Sequence, residues 1–307
     1  MDVQQEHTLQ SLASGTVAVI PAYNEARLIG SVILKARKHF ATIIVVDDGS
    51  SDDTAEIAHT AGALVVRHET NRGKGAAINT GFLTARGLSP DVVVMMDADG
   101  QHLPDEAPAV MAPILRGDAD IVIGSRYMQR RSNVPTHRVW GHQVFNFMTS
   151  HTSGVMVTDS QSGYRAFSKA ALYAITFSSS GFSVESEMQY LARDYNLRVI
   201  EVPITILYHE KPKRHVVAHG MKVLNGMLQL IGQYRPLLFF GVPGLLVLVV
   251  GLLWGLWVVD IYSRTLQLAT GYALISAILV IVGTLSLFTG IMLHSIRAMI
   301  LEALRKE

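Results

Sequence analysis

The chain has 307 residues, a net charge of +1 and a hydrophobic fraction of 49%. That near-neutral balance gives no reason to expect a nucleic-acid partner. It contains no cysteine, which excludes disulfides, thiolate zinc sites and cysteine nucleophiles, so any metal must sit on oxygen or imidazole ligands.

Residues 1–15 are polar and include acidic side chains. Lacking the apolar core of a signal peptide, they predict that the folded part behind them stays on the cytoplasmic side. Between residues 16 and 125 strand and helix patterns alternate. Short β-branched runs at 16–20, 42–46, 63–67, 91–96 and 120–123 read as strands buried on both faces. Between them, Leu28, Ile29, Val32, Ile33 and Ala36 form a helical stripe behind Asn24, a good N-cap residue. Residues 54–61, 75–85 and 104–115 supply further helices. This order predicts an α/β domain with a mostly parallel, Rossmann-like sheet, whose ligands bind at the carboxyl ends of the strands.

Those ends are polar. The first strand runs into Pro21-Ala22-Tyr23-Asn24-Glu25, the second into Asp47-Asp48-Gly49-Ser50, and the fourth into Asp97-Ala98-Asp99-Gly100-Gln101-His102. Carboxylates at alternate positions, as in Asp97 and Asp99, can converge on a hard cation, Mg2+ or Mn2+, that bridges to substrate phosphates. Gln101 adds a carbonyl oxygen to this expected metal set. Helix capping is the competing explanation for such residues, and it is the one expected for Asp52. Asp47 stands directly at a strand end, placed to accept a hydrogen bond from a nucleobase imide. Asn71-Arg72-Gly73-Lys74-Gly75 lacks the full Walker spacing, yet Lys74 and two glycines before a helix can hold a donor phosphate. Arg126, at the end of the fifth strand, suits bidentate phosphate binding. The clusters 159–165 and 181–187 fall in a region without periodicity, compatible with an acceptor site. His209 and Lys211 fit the donor diphosphate, lipid head groups or a plain basic flank.

The character changes after Pro236. Residues 236–259 and 265–293 carry no charge. At about 1.5 Å per residue, each stretch can cross a hydrocarbon core of roughly 30 Å. A short connector around 260–264 makes them an antiparallel hairpin. Basic residues before the first span and after the second place both ends in the cytoplasm. Residues 216–234 have the pattern of an interfacial amphipathic helix. The expected organisation is a catalytic domain over 1–215, an interfacial helix over 216–235, and a transmembrane hairpin with a cytoplasmic tail over 236–307.

Taken in order, Pro-Ala-Tyr-Asn-Glu, Val-Val-Asp-Asp-Gly-Ser, Met-Asp-Ala-Asp-Gly-Gln-His, Gly-Ser-Arg-Tyr, Asp-Ser-Gln-Ser-Gly-Tyr-Arg-Ala-Phe and Glu-Val-Pro-Ile cover roughly residues 17–206. This set resembles family 2 glycosyltransferases, specifically the polyprenyl-phosphate (dolichyl-phosphate) hexosyltransferases. The resemblance implies a GT-A fold and metal-dependent, inverting transfer of a hexose from a nucleotide-sugar to a lipid phosphate, which the apolar spans and basic flanks place at the cytoplasmic membrane. It implies nucleoside contacts from Pro21, Tyr23, Glu25 and Asp47, and metal contacts from Asp97, Asp99 and Gln101. Arg126 and Arg138 would bind the acceptor phosphate, and Glu187 matches an acidic position near the sugar. His209 and Lys211 stand where related mannosyl enzymes carry arginines. For that reason the donor is expected to be UDP-glucose or UDP-N-acetylglucosamine, with GDP-mannose as the alternative. A polysaccharide synthase of the same fold is disfavoured, because no Gln-x-x-Arg-Trp motif and no further spans are visible. A non-catalytic membrane scaffold would bind no nucleotide. The sequence leaves room for a homo-oligomer.

Overall fold

The computed structural model describes residues 15–128, 136–178, 184–207 and 216–304. Seven strands form one sheet: β1 (Thr16–Ala22), β2 (Thr42–Asp47), β3 (Leu64–Arg67), β4 (Val92–Met95), β5 (Ile121–Ser125), β6 (Arg165–Ser168) and β7 (Val199–Pro203). Their order is β3-β2-β1-β4-β6-β5-β7. β1 pairs in parallel with β2 and β4, β2 with β3, and β5 with β7, while β6 runs antiparallel to both neighbours. The chain steps outward from β1 to β3, then returns to β4 on the other side of β1. That reversal opens a crevice at the carboxyl ends of β1 and β4.

The β-branched runs dictate this sheet. β1, β4 and β5 are buried at every position, as strands covered on both faces must be. β3 departs from the expectation: it is an edge strand, and Leu64 is exposed. Helix α1 (Ala26–Ala36) buries Ile29, Val32, Ile33 and Ala36 along one face against the sheet. Full burial of each larger aliphatic contributes on the order of 2 kcal/mol, so Ile33→Asp would undo this layer. Helices α2 (Thr54–Thr60), α3 (Lys74–Leu88) and α4 (Ala107–Leu115) complete the crossovers.

Asn24 is not the N-cap expected from the sequence. The cap position is Glu25, and Asn24 takes a left-handed φ of 54°. Its Oδ1 accepts from Ser51 N at 2.9 Å, while its own N–H donates to Ser50 Oγ at 2.9 Å. Asp52 stands one residue before the cap position Asp53, yet it serves two helix starts: Oδ1 accepts from Thr54 N at 3.1 Å and Oδ2 from Ala26 N at 3.2 Å.

The region expected to be irregular contains order. Helix α5 (Thr136–Ser153) precedes β6, helix α6 (Lys169–Ala174) follows it, and helix α7 (Val184–Asp194) carries the second polar cluster. Helix α8 (Val216–Tyr234) leads towards the apolar part, and the chain divides after Met227 into two compact units.

In the second unit a π-helical turn (Leu237–Gly241) runs into α9 (Val242–Thr265), and α10 (Thr270–Leu304) packs beside it. The turn between them is later than expected. Asp260 and Arg264 pair at 2.9 Å within α9, as helix neighbours four residues apart can, and Leu266 ends the helix with φ 51°. Two stretches, Leu237–Thr265 and Thr270–Ala303, are long and apolar enough to cross a membrane, and most of their large apolar side chains are exposed. A buried core hairpin would hide far more. The helices approach to backbone contact: a Cβ on Gly283 would stand 2.7 Å from Leu248 Cα. Ser276 Oγ donates to Gly251 O at 2.8 Å across the same seam.

Candidate active site

The crevice between β1 and β4 gathers most of the rim motifs. Asp97 and Asp99 follow β4, and Lys74, the first residue of α3, reaches them from the far side of β1. Its Nζ lies 2.6 Å from Asp97 Oδ1 and 2.7 Å from Glu185 Oε1 on α7. Burial opposes the charge of this ammonium, yet the two carboxylates outweigh it and hold its pKa above the ordinary lysine value. Burial also opposes ionisation of Asp97, but Lys74 and then His102 bring its pKa down to about 2.

Asp99 behaves oppositely. Burial, reinforced by the neighbouring charge of Asp97, pushes it up to about 6. Its Oδ1 accepts from Gln101 N at 3.0 Å and its Oδ2 from Gln101 Nε2 at 2.8 Å. Gln101 thus braces Asp99 through its amide nitrogen. Glu25, before α1, adds a further repulsive charge to Asp99. His102 is buried, which lowers it to about 4, so the ring is neutral and its Nδ1 accepts from Asp97 N at 3.2 Å. It stacks on Tyr164 with centroids 5.1 Å apart.

Gly163 closes the pocket wall: a Cβ there would overlap the Asp97 carboxylate, with Cγ at 2.9 Å. Any larger residue would have to displace that carboxylate.

Asp47 ends β2, fully buried. Its Oδ1 accepts from Ser50 N at 3.1 Å. Arg67 Nε is 3.0 Å from Oδ2, but off the line of a hydrogen bond, and Oδ2 has no hydrogen-bond donor. Asp48, beside it, accepts from Arg72 N at 2.9 Å and Gly73 N at 2.8 Å, and from His68 Nδ1 at 2.7 Å. It therefore shapes the loop that delivers Lys74. Pro21 is buried in β1 and Tyr23 is 43% exposed at the rim.

Arg126 follows β5. Its Nε and one terminal nitrogen each lie 2.6 Å from an oxygen of Asp159, which is fully buried. A two-pronged pair of this kind fixes the guanidinium plane. Glu187 is buried in α7, with Oε1 accepting from Ser178 N at 2.8 Å. Arg165 is wholly buried and braces the preceding loop through the carbonyls of Ser160 and Ser162. The side chain of Arg138, and all of His209 and Lys211, lie outside the described residues.

Three participants were not singled out from the sequence: Glu185, Asp159 and Asp48. Each lies inside a motif that was. The residues themselves give no sign of which carboxylate in Val184-Glu185-Ser186-Glu187 meets Lys74.

Among the described residues, no three Asp, Glu, His or Cys side chains form a closed metal cage. The donor set suits a different arrangement: a hard cation on one or two protein carboxylates, its shell completed by substrate phosphates and water. Burial first, and then the charge of Asp97, raise the Asp99 carboxyl, and a cation held there would offset both.

The sequence model of Glycosyl transferase family 2 matches residues 17–176. The UDP-N-acetylglucosamine–dolichyl-phosphate N-acetylglucosaminyltransferase of Methanococcus voltae is 35% identical, over 68% of this chain and 90% of that one. The polyprenol monophosphomannose synthase of Mycolicibacterium smegmatis is 33% identical, over 64% and 78%. Among solved structures, glucosyl-3-phosphoglycerate synthase from Mycobacterium tuberculosis, in complex with Mn2+, UDP and phosphoglyceric acid, superposes with a TM-score of 0.57. It is 25% identical and covers 74% of this chain and 82% of that one. The chain belongs to glycosyl transferase family 2, its mixed sheet is of the GT-A type, and it is a glycosyltransferase.

Proposed function

We propose that this enzyme transfers a hexose from a UDP-sugar to a polyprenyl phosphate at a membrane surface, assisted by a divalent cation on Asp97 and Asp99. The observation that supports the acceptor class is Arg126 at the rim, its guanidinium plane fixed by Asp159, a cation suited to a phosphate acceptor. Asp97 and Glu185 hold Lys74, Asp159 holds Arg126, Glu187 holds Ser178, and Asp99 holds Gln101. A sugar hydroxyl would need a general base. A lipid phosphate is ionised already and needs none. Relatives named for dolichyl-phosphate and polyprenol acceptors support the same reading.

The residues then divide the work. The phosphate oxygen attacks the anomeric carbon from the face opposite the diphosphate, the bond to the leaving oxygen breaks, and the configuration inverts. A bound Mg2+ or Mn2+ would neutralise the departing diphosphate. Arg126, held in plane by Asp159, orients the acceptor phosphate, and Arg138 is proposed to share that task. Positioning and electrostatics supply the catalysis.

Asp47 favours uracil as the base. Oδ2 of Asp47, which takes no hydrogen bond although Arg67 Nε stands 3.0 Å away, matches the single imide N–H of uracil. Guanine presents two donors side by side, and Oδ1 is already engaged by Ser50. The relative named for a UDP-sugar agrees; the one named for mannose keeps GDP-mannose as the second reading. The two apolar helices are proposed as a membrane anchor, with the catalytic domain on the cytoplasmic side. They would confine the enzyme to the surface that holds its acceptor.

The test is to incubate membranes containing the enzyme with radiolabelled nucleotide sugars and polyprenyl phosphate, then identify the labelled lipid. The expected product is a lipid monophosphate sugar from a UDP-hexose or UDP-N-acetylhexosamine. Labelling from GDP-mannose alone would overturn the base assignment, and no labelled lipid from any donor would overturn the acceptor.

A further inference from the structure

Lys74 occupies an unusual place for a phosphate-binding lysine. Its Nζ is in contact with Asp97 at 2.6 Å, on one of the two carboxylates read here as cation ligands. We propose that Lys74 is an internal counter-ion that competes with the metal for Asp97, so that the metal binds tightly only together with the nucleoside diphosphate. This rests on Asp97 and Asp99 being metal ligands.

Three features of the site carry the inference. The base of the lysine is fixed, because Asp48 accepts from Arg72 N and Gly73 N, and His68 ties Asp48 to Thr80 on α3 through contacts of 2.7 and 2.9 Å. Motion is therefore confined to the flexible four-carbon stem. The ammonium also has somewhere to go. Glu185 is 5% exposed, and while its Oε1 holds Lys74, its Oε2 has no hydrogen-bond partner. A short swing gives Lys74 a second contact on Glu185 and releases Asp97. Finally, the two aspartates are unequal. Asp97 is neutralised by Lys74, whereas Asp99 is held by the uncharged donors of Gln101.

A divalent ion arriving alone must displace a tethered ammonium from Asp97. When it arrives with a diphosphate, it gains phosphate oxygens, and the displaced ammonium gains a new anion. The pairing at Asp97 thus couples the two ligands, and reciprocity requires the nucleotide to strengthen metal binding as much as the metal strengthens nucleotide binding.

The measurement is Mn2+ binding to the full chain in detergent at pH 8, with and without UDP, followed by the resonance of free Mn2+. The wild type should bind Mn2+ alone weakly and tightly with UDP. Lys74→Met should tighten binding of Mn2+ alone by roughly tenfold or more, as expected for removing a close competing charge, and should shrink the gain from UDP. Lys74→Arg keeps the cation and should stay near wild type. Glu185→Gln leaves Lys74 with Asp97 as its remaining carboxylate and should weaken Mn2+ binding. Unchanged or weaker binding of Mn2+ alone in Lys74→Met, with Mn2+–UDP binding intact in the wild type, overturns the inference and leaves the metal site standing. Should Lys74→Met fail to fold, Glu185→Gln decides: unchanged or tighter Mn2+ binding overturns the inference. A wild type that binds no Mn2+ even with UDP overturns both.

Discussion

Replacing Asp99 with Asn should stabilise the ligand-free enzyme while abolishing transfer. Burial and Asp97 raise this carboxyl from 3.8 to about 6, so the folded state binds its proton more strongly than the unfolded chain does. Above about pH 6 the folded protein carries an ionised Asp99 at a cost that the unfolded chain escapes. That cost fades as pH falls through 6 and is gone below 3.8. At ~1.36 kcal/mol per pKa unit the ceiling is about 3 kcal/mol. Partial exposure of the side chain reduces the expected gain to about 1–2 kcal/mol, or roughly 2–6 °C in Tm. The assay is thermal unfolding of the full chain in detergent with chelator, at pH 7.5 and pH 4.5. Asp99→Asn should melt higher at pH 7.5, with a smaller difference at pH 4.5. Mn2+ with UDP should raise the wild type and leave the variant unmoved. A variant that melts lower at pH 7.5, or that gains from Mn2+ and UDP as the wild type does, would refute the reasoning.

Asp47→Asn presents an amide where a carboxylate should meet the base. Titration with UDP should show affinity reduced roughly tenfold or more, the scale of a lost charge-assisted hydrogen bond, with a smaller effect on kcat than on KM. Gly163→Ala places a methyl against Asp97; overpacking should lower stability by about 1–3 kcal/mol and depress Mn2+–UDP binding, read by melting and titration. Asp159→Asn removes the anion from the Arg126 fork. It should raise KM for the polyprenyl phosphate while leaving UDP affinity near wild type, and a change confined to UDP would contradict the placement of Arg126.

Much of the catalytic domain was legible because its strands are short runs of β-branched residues and its polar residues stand directly behind them. Residues 42–46 followed by Asp47 are the clearest example. β6 was not legible. It is four residues long, opens with Arg165, and pairs with Val92–Met95 from far up the chain; a wholly buried arginine in a strand has no periodic signature. The division of labour in α7 was hidden for a related reason. Glu185 and Glu187 are both buried, and it is the packing of α7 near Lys74 that separates them. Asn24 carries the residue type of a cap, yet its left-handed backbone turns it towards Ser50 and Ser51. Asp260 and Arg264 suggested a loop because charges usually leave an apolar span, but their mutual pairing lets α9 continue past them.

The twofold grip of Asp52 on Thr54 N and Ala26 N has an effect beyond either helix. One carboxylate ties the start of the first crossover to the start of the second, so the loops flanking Asp47 cannot drift apart. On the proposed reading of Asp47 as a base contact, a nucleoside arriving there would meet a surface already in shape, and loop ordering would take little from its affinity. Lengthening the chain between Asp48 and Asp52 would break that tie and let the loops fluctuate independently. Recognition of the base would then weaken although no residue touching it had changed.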